Sequence, residues 1–333
     1  MATPTDDLAA MSKAITREIL SAPSLLLFLA YKQQKKLGSL PEVVRHPDTA
    51  LVQSYAEEGI TSHTGPPWSP QALETNISKV HHASACTLGM TTFIRGDMHR
   101  KIKDGFSILL PAAGAVRLFD KNLKLSCIAE VPQAYRRLRL ILDLLAKLDV
   151  GMPSANNTTD REATPESLQF VRALPCILQA VWEADPAQGP VRVSKLYVTD
   201  AYHRRTIKPS QVGESEYVVP SAPGDKECII CIDLVLRMGW VDPPKLFCAF
   251  LETLTGVENS LVYTDLPVPS YGIISEIPST GPVPPYTLES LTHIDCYMND
   301  VISTVQGDLD HQPQVFDGTV RALWCLFPNY SES

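Results

Sequence analysis

Several short stretches carry residue types that could do chemistry. Tyr297-Met298-Asn299-Asp300 places a carboxylate at the mouth of an expected hairpin. Asn-Asp is also simply a good turn, because both side chains bond to nearby backbone. Lys195-Leu196-Tyr197-Val198-Thr199-Asp200 puts an acid, Asp200, at the end of an expected strand. Met238-Gly239-Trp240-Val241-Asp242-Pro243-Pro244 reads, taken alone, as a turn before a helix. Cys228 and Cys231 form a C-x2-C, but no second Cys or His pair lies at zinc-ribbon distance, and structural zinc needs four ligands. They read as residues of a strand, and the eight cysteines as reduced thiols. Within 87–105, Met90, Phe93, Met98 and Ile102 mark an apolar face. Arg95, His99, Arg100, Lys101 and Lys103 mark a basic one, either solvated or binding.

The elements that must position these residues follow from the apolar pattern. The chain has 333 residues, 44% hydrophobic and 20% charged, which fits a globular protein of two domains or linked subdomains. Twenty-seven prolines imply many irregular connections. A net charge of −8 weighs against tight autonomous nucleic-acid binding. Helices are expected over Leu8–Ser21 and Ser24–Lys36, after Ser69-Pro70-Gln71, and over 87–105. Phe106–Leu110, Leu123–Val131 and Arg137–Leu145 read as strands of one small sheet. Thr164 is placed to cap a helix over Pro165–Glu183. A strand over Val191–Asp200 follows, then a pair Tyr217–Val219 and Cys228–Asp233 around Pro223-Gly224-Asp225. A helix over Pro243–Thr255, a Pro-rich connection at 264–288, a hairpin His293–Cys296/Val301–Val305 and a helix over Pro313–Leu326 close the chain. The apolar run Ile19–Tyr31 contains Pro23 and is shorter than the roughly 20 residues a membrane span needs. Acidic Asp6 and Asp7 precede it, unlike the basic start of a secretory signal. An intracellular location, cytoplasm or nucleus, and no membrane association are therefore expected. The sequons at Asn76, Asn156, Asn157 and Asn329 carry no weight without secretion.

In order and spacing, several segments resemble the fingers and palm of retroelement reverse transcriptases of the gypsy-like and tyrosine-recombinase type. They are Gly65-Pro66-Pro67-Trp68-Ser69, Gly105-Phe106-Ser107-Ile108-Leu109-Leu110-Pro111 and Asn122-Leu123-Lys124-Leu125-Ser126. Val131-Pro132-Gln133 with Arg136-Arg137-Leu138-Arg139-Leu140-Ile141-Leu142-Asp143-Leu144 is similar to the family's VPQ-x-x-RR-x-R-x-ILDLS. Ser154-Ala155-Asn156-Asn157-Thr158-Thr159 is similar to S-V-N-x-T-T, and Met238-Gly239-Trp240 through Pro244 and Phe247 to motif B, M-G-W-x-x-x-P-x-x-F. Gln306-Gly307 matches a Q-G that follows motif C. The resemblance runs from about residue 59 to the C-terminus. It implies an α+β fold: a right-hand polymerase palm, an antiparallel sheet backed by helices, with a fingers subdomain and the thumb absent or truncated. The expected ranges are an N-terminal helical segment 1–58, a fingers-like region 59–149 and a palm 150–333.

The resemblance further implies template-primer nucleic acid and a deoxynucleotide triphosphate as partners, and Mg2+ as cofactor. Polymerisation is an in-line attack of a primer hydroxyl on a phosphate, clamped by two ions roughly 3.5–4 Å apart. Magnesium wants carboxylate oxygens, and motifs A and C supply them. Tyr197 stands where motif A has its metal-binding aspartate. Asn299 replaces the first aspartate of motif C, leaving Asp300 as a weak metal ligand. By resemblance Asp200, Ala201 and Tyr202 lie near the nucleotide, Met238 and Gly239 near template and incoming base, and Arg139 at the triphosphate, where a guanidinium fork grips phosphate oxygens. A sheet-edge arginine is the other reading of Arg139. Strand alternation turns Asp200 away from position 197, roughly 10 Å off. Asp295 and Asp242 are the other acids that could sustain weak activity with Asp200 and Asp300, but Asp295 lies about 13 Å along the strand from Asn299, too far for one metal pair. The expectation is a reverse-transcriptase-like protein with impaired or absent catalysis. The alternative is a non-catalytic scaffold that binds nucleic acid or protein on the same surface.

Overall fold

A computed structural model of the protein describes residues 12, 17, 49–78, 82, 85, 87–131, 139–147, 153–163, 173–198, 200–262, 291–297, 300–307 and 311–326. The expected helices before residue 37, the Thr164 cap, the connection 264–288, and Met298 and Asn299 lie outside them, apart from Ser12 and Arg17. In chain order the elements are α1 (Thr49–Glu58), α2 (Pro70–Ser78), α3 (Leu88–Lys103), β1 (Ser107–Pro111), α4 (Ala112–Phe119), β2 (Cys127–Val131), β3 (Arg139–Asp143) and α5 (Ala155–Thr158). Then come α6 (Ala173–Glu183), β4 (Arg192–Tyr197), β5 (Tyr217–Val218), β6 (Ile229–Asp233), α7 (Pro243–Val262), β7 (Thr292–Tyr297), β8 (Asp300–Val305) and α8 (His311–Leu326). The class is α+β, and every pairing between named strands is antiparallel.

Two compact units share the chain alternately. The first takes residues 1–34, 58–164 and 202–243; the second takes 35–57, 165–201 and 244–333. In the first unit, β6 lies between β1 and β5, and β2 pairs with β3 as a separate ribbon. Period-two alternation sends the side chains of the β1-β6-β5 sheet to two cores. Ile108, Leu110, Ile230 and Ile232 pack with Leu73 of α2 and with Ala115 and Phe119 of α4. Leu109, Ile229 and Cys231 pack with Met90, Ile94 and Met98 of α3. A sheet covered on both faces needs a continuous apolar strand, and all five residues of β6 are buried. Ser69 starts α2 as expected: its Oγ accepts from the Ala72 amide at 3.2 Å, with Pro70 at the first helical position. Thr87 caps α3 in the same way, and Arg100, Lys101 and Lys103 sit in its last turn, where cations suit the dipole.

Two expectations change here. Residues 106–149 do not form one sheet, because β1 pairs with β6 from far down the chain while β2 and β3 pair with each other. The helix α4 stands between them, opened directly by Pro111, the last residue of β1, without an intervening loop.

In the second unit β8 is the central strand, flanked by β4 and β7. One face of this sheet is buried through Ile294, Cys296, Val301, Ser303 and Val305. α6 packs on β7 and β8, and α8 packs on β8. α7 brings Cys248, Glu252 and Thr255 close to Cys296. Its apolar side, including Leu246, Phe247, Phe250, Leu251 and Leu254, is buried, and the Phe250 ring lies 6.1 Å from that of Tyr55 on α1. The helix runs past the expected end at Thr255 to Val262. Among the described residues, no helix is long and apolar enough to cross a membrane.

Candidate functional site

The opposite face of the β4-β8-β7 sheet is exposed along β4 and at Tyr297, while Thr304 of β8 is buried. Register aligns Tyr197 with Asp300 and Asp300 with Tyr297, so a phenol, a carboxylate and a phenol form one row across three strands. Directly paired residues share a face. The next row of that face is Lys195, Ile302 and Asp295, and the third is Val193, Thr304 and His293. Tyr197 is 62% exposed and Tyr297 45%. Lys195, two residues before Tyr197, reaches back over the sheet, and its Nζ donates to Asp300 Oδ2 at 2.9 Å. Asp295 is engaged along its own strand by His293 Nε2 at 3.5 Å. The row therefore holds one carboxylate, already matched by one ammonium. No group of three or more acid, His or Cys side chains suited to a metal ion forms among the described residues.

Asp200 does not continue the strand. β4 ends at Tyr197, and Asp200 sits exposed in a turn at φ +52°, followed by the 3-10 turn Ala201–Arg204. Strand alternation, the basis for turning Asp200 away, thus does not extend to it. Ala201 is buried and Tyr202 half-buried in that turn. Asp300, Tyr197, Asp200 and Ala201 belong to the second unit; Arg139, Tyr202, Met238 and Gly239 belong to the first. The backbone of Arg139 opens β3 opposite Val131.

The glycine turn is clamped from several sides within the first unit. Gly239 has φ +108°, and a Cβ there would lie 2.4 Å from the Leu142 carbonyl oxygen of β3. Only glycine accepts both demands. Asn156 grips the turn from both sides: its amide donates to the Gly239 carbonyl at 2.9 Å and its Oδ1 accepts from the Val241 amide at 3.0 Å. Trp240 Nε1 donates to Thr159 Oγ1 at 3.0 Å. Asn156 N–H in turn donates to the Leu144 carbonyl at 3.0 Å. Three separately recognised segments, around Leu142, Asn156 and Gly239, thus meet at one point. Asp242, just beyond the turn, is fully buried.

A second junction escaped the sequence reading. Lys124 is buried, and its ammonium donates to the Thr64 carbonyl (2.8 Å), Thr64 Oγ1 (3.0 Å) and the Gly65 carbonyl (2.9 Å). Burial pulls its pKa down to about 8, against the pull of the Glu214 carboxylate. Glu214 accepts from the Ser62 and Thr64 hydroxyls, both at 2.7 Å, and Thr158 Oγ1 donates to the Thr64 carbonyl at 2.8 Å. An isolated lysine between apolar residues in Leu123-Lys124-Leu125 was the available signal.

The basic face of α3 is largely spent internally. Arg95 is 4% exposed and donates to Asp225 Oδ2 at 2.7 Å and to the Pro220 carbonyl at 3.0 Å. Arg100 bonds to Asp97 and Asp104. Cys228 and Cys231 pack in different cores, on opposite sides of the sheet, as a strand reading requires. Burial raises both thiols above their ordinary range.

No protein-family model matches this chain, and no curated protein does.

Proposed function

We propose that this chain is a reverse-transcriptase-type fingers and palm whose two-metal centre has been dismantled, leaving a protein with impaired or no polymerase activity. The support is the order and spacing of the matching segments, together with one geometric observation. Tyr197, at the motif A position, is the register partner of Asp300, the second acid position of motif C, and Asp300 is bonded to Lys195.

Two divalent ions between neighbouring strands need several anionic oxygens to offset their mutual repulsion. Among the described residues, the row across the sheet offers phenols at 197 and 297 and one carboxylate that an ammonium already meets; the sequence has an amide, Asn299, where the resemblance expects a further acid. An amide oxygen can coordinate but contributes no charge. The residues present do not fit a magnesium pair.

The test is primer extension by the full chain with Mg2+ and with Mn2+. No template-dependent extension is expected. Sustained extension that Asp300→Ala abolishes would overturn the proposal. The paired changes Tyr197→Asp and Asn299→Asp should create Mn2+ binding detectable by calorimetry. An unchanged affinity in that variant, with the fold intact, would show that positions 197 and 299 do not share a metal centre.

A further inference from the structure

We propose that α6 is a self-association helix, pairing antiparallel with the same helix of a second copy of this chain. Its inner side, through Ala173 and Ala180, is buried in the second unit. Its outer side exposes Leu174 (64%), Leu178 (59%), Val181 (42%) and Trp182 (89%). Spacings of four, seven and eight place these residues on one stripe. No ionisable group interrupts it between Leu174 and Trp182 except the half-buried Cys176 thiol. The four side chains present on the order of 500 Å2 of apolar surface, near the upper end of what a monomer normally leaves open. Two such faces together remove about 1,000 Å2 from water, the lower bound for a specific interface.

The arrangement of the stripe selects the occupant. Leu178 lies midway between Leu174 and Trp182. A two-fold axis at Leu178 therefore sets each Trp182 over the other copy's Leu174, the large side chain against the smaller one, as an isologous contact requires. The same antiparallel pairing brings Glu183 beside Ala173 of the partner helix, with no like charge opposite it. Parallel pairing would instead oppose Glu183 to Glu183.

Sedimentation equilibrium of the full chain tests this. The wild-type mass is expected to rise towards twice the chain mass over about 10–100 µM, as a small interface dictates. Leu178→Glu and Leu178→Lys should each remain monomeric over that range, because the axis sets like charges face to face, and their equimolar mixture should associate. Should either lose its helical circular dichroism, Leu174→Glu and Trp182→Lys form a second complementary pair that meets only in the antiparallel arrangement. A wild type still monomeric at about 200 µM, association that both single variants retain, or a mixture of folded variants that stays monomeric would each overturn the proposal.

Discussion

Lys195 and Asp300 meet on a solvent-facing sheet surface, and the lysine side chain is 56% exposed. Such a pair adds about 0–1 kcal/mol to stability, so its consequence is local charge. Glu258 of α7 is the opposite case. It is 4% exposed; burial raises its carboxyl to about 8, and the Thr319 hydroxyl of α8 offsets this only in part. The folded state therefore holds a proton that the unfolded chain releases near pH 4.5. Stability from this group is complete below about pH 4.5 and is lost as the pH rises through about 8. Glu258→Gln should leave the urea midpoint nearly unchanged at about pH 4.5 and raise it at about pH 8.5, a gain in unfolding free energy of a few kcal/mol at most, since one pKa unit is worth about 1.4 kcal/mol. Wild-type and variant midpoints that run parallel across this range would show that Glu258 ionises in the folded protein as readily as in water.

At the scale of elements, the glycine turn joins strand β3, the single turn α5 and the segment leading into α7. Gly239 and Gly224 both have positive φ, at +108° and +95°, but only at Gly239 would a Cβ meet backbone. Both alanine substitutions carry the left-handed penalty of roughly 1–2 kcal/mol. Gly239→Ala should cost about 1–3 kcal/mol more than Gly224→Ala, because the Leu142 carbonyl cannot retreat without disturbing β3. Asn156→Ala strips partners from the Gly239 carbonyl and the Val241 amide at once, and should cost about 1–3 kcal/mol. Equal thermal midpoints for the two glycine variants would deny the close approach of β3. Much at this scale was legible in the sequence. Alternation and turn residues read out β5 with β6 and β7 with β8, whereas the register that pairs Tyr197 with Asp300 joins residues 103 positions apart and could not be read locally. Helix α4 was not legible, because no turn residues separate it from β1. The grips of Asn156 on Gly239 and of Lys124 on Thr64 were hidden for another reason: they join residues 83 and 60 positions apart, beyond any local periodicity.

For the molecule as a whole, the decisive feature is that the two units interleave. The sheet of the first unit is ordered β1-β6-β5, so its central strand and one edge are supplied by residues after 216, while its other edge precedes residue 112. Ile230 and Ile232 complete one core, Ile229 and Cys231 the other, and all four are at most 5% exposed. A buried ion group ties the late segment down as well: Glu216 accepts from the Gly213 amide at 3.0 Å, the Asp233 amide at 2.7 Å and the Arg237 guanidinium. Chain order alone could not reveal this, since a segment from 202 to 243 looks locally no different from its neighbours. Removing it leaves β1 without its partner strand and exposes two apolar faces. Burying a large apolar side chain contributes about 1.5–3 kcal/mol, so losing four costs about 6–12 kcal/mol, comparable to the 5–15 kcal/mol that typically holds a whole domain, and more if neighbouring contacts fail with them. They should fail, because β6 is the strand on which both cores rest. A fragment ending at residue 149 is therefore expected to show no cooperative urea transition by circular dichroism, whereas the intact chain does. Cooperative unfolding of that fragment would mean that β1 and the helices around it find a stable core without β5 and β6.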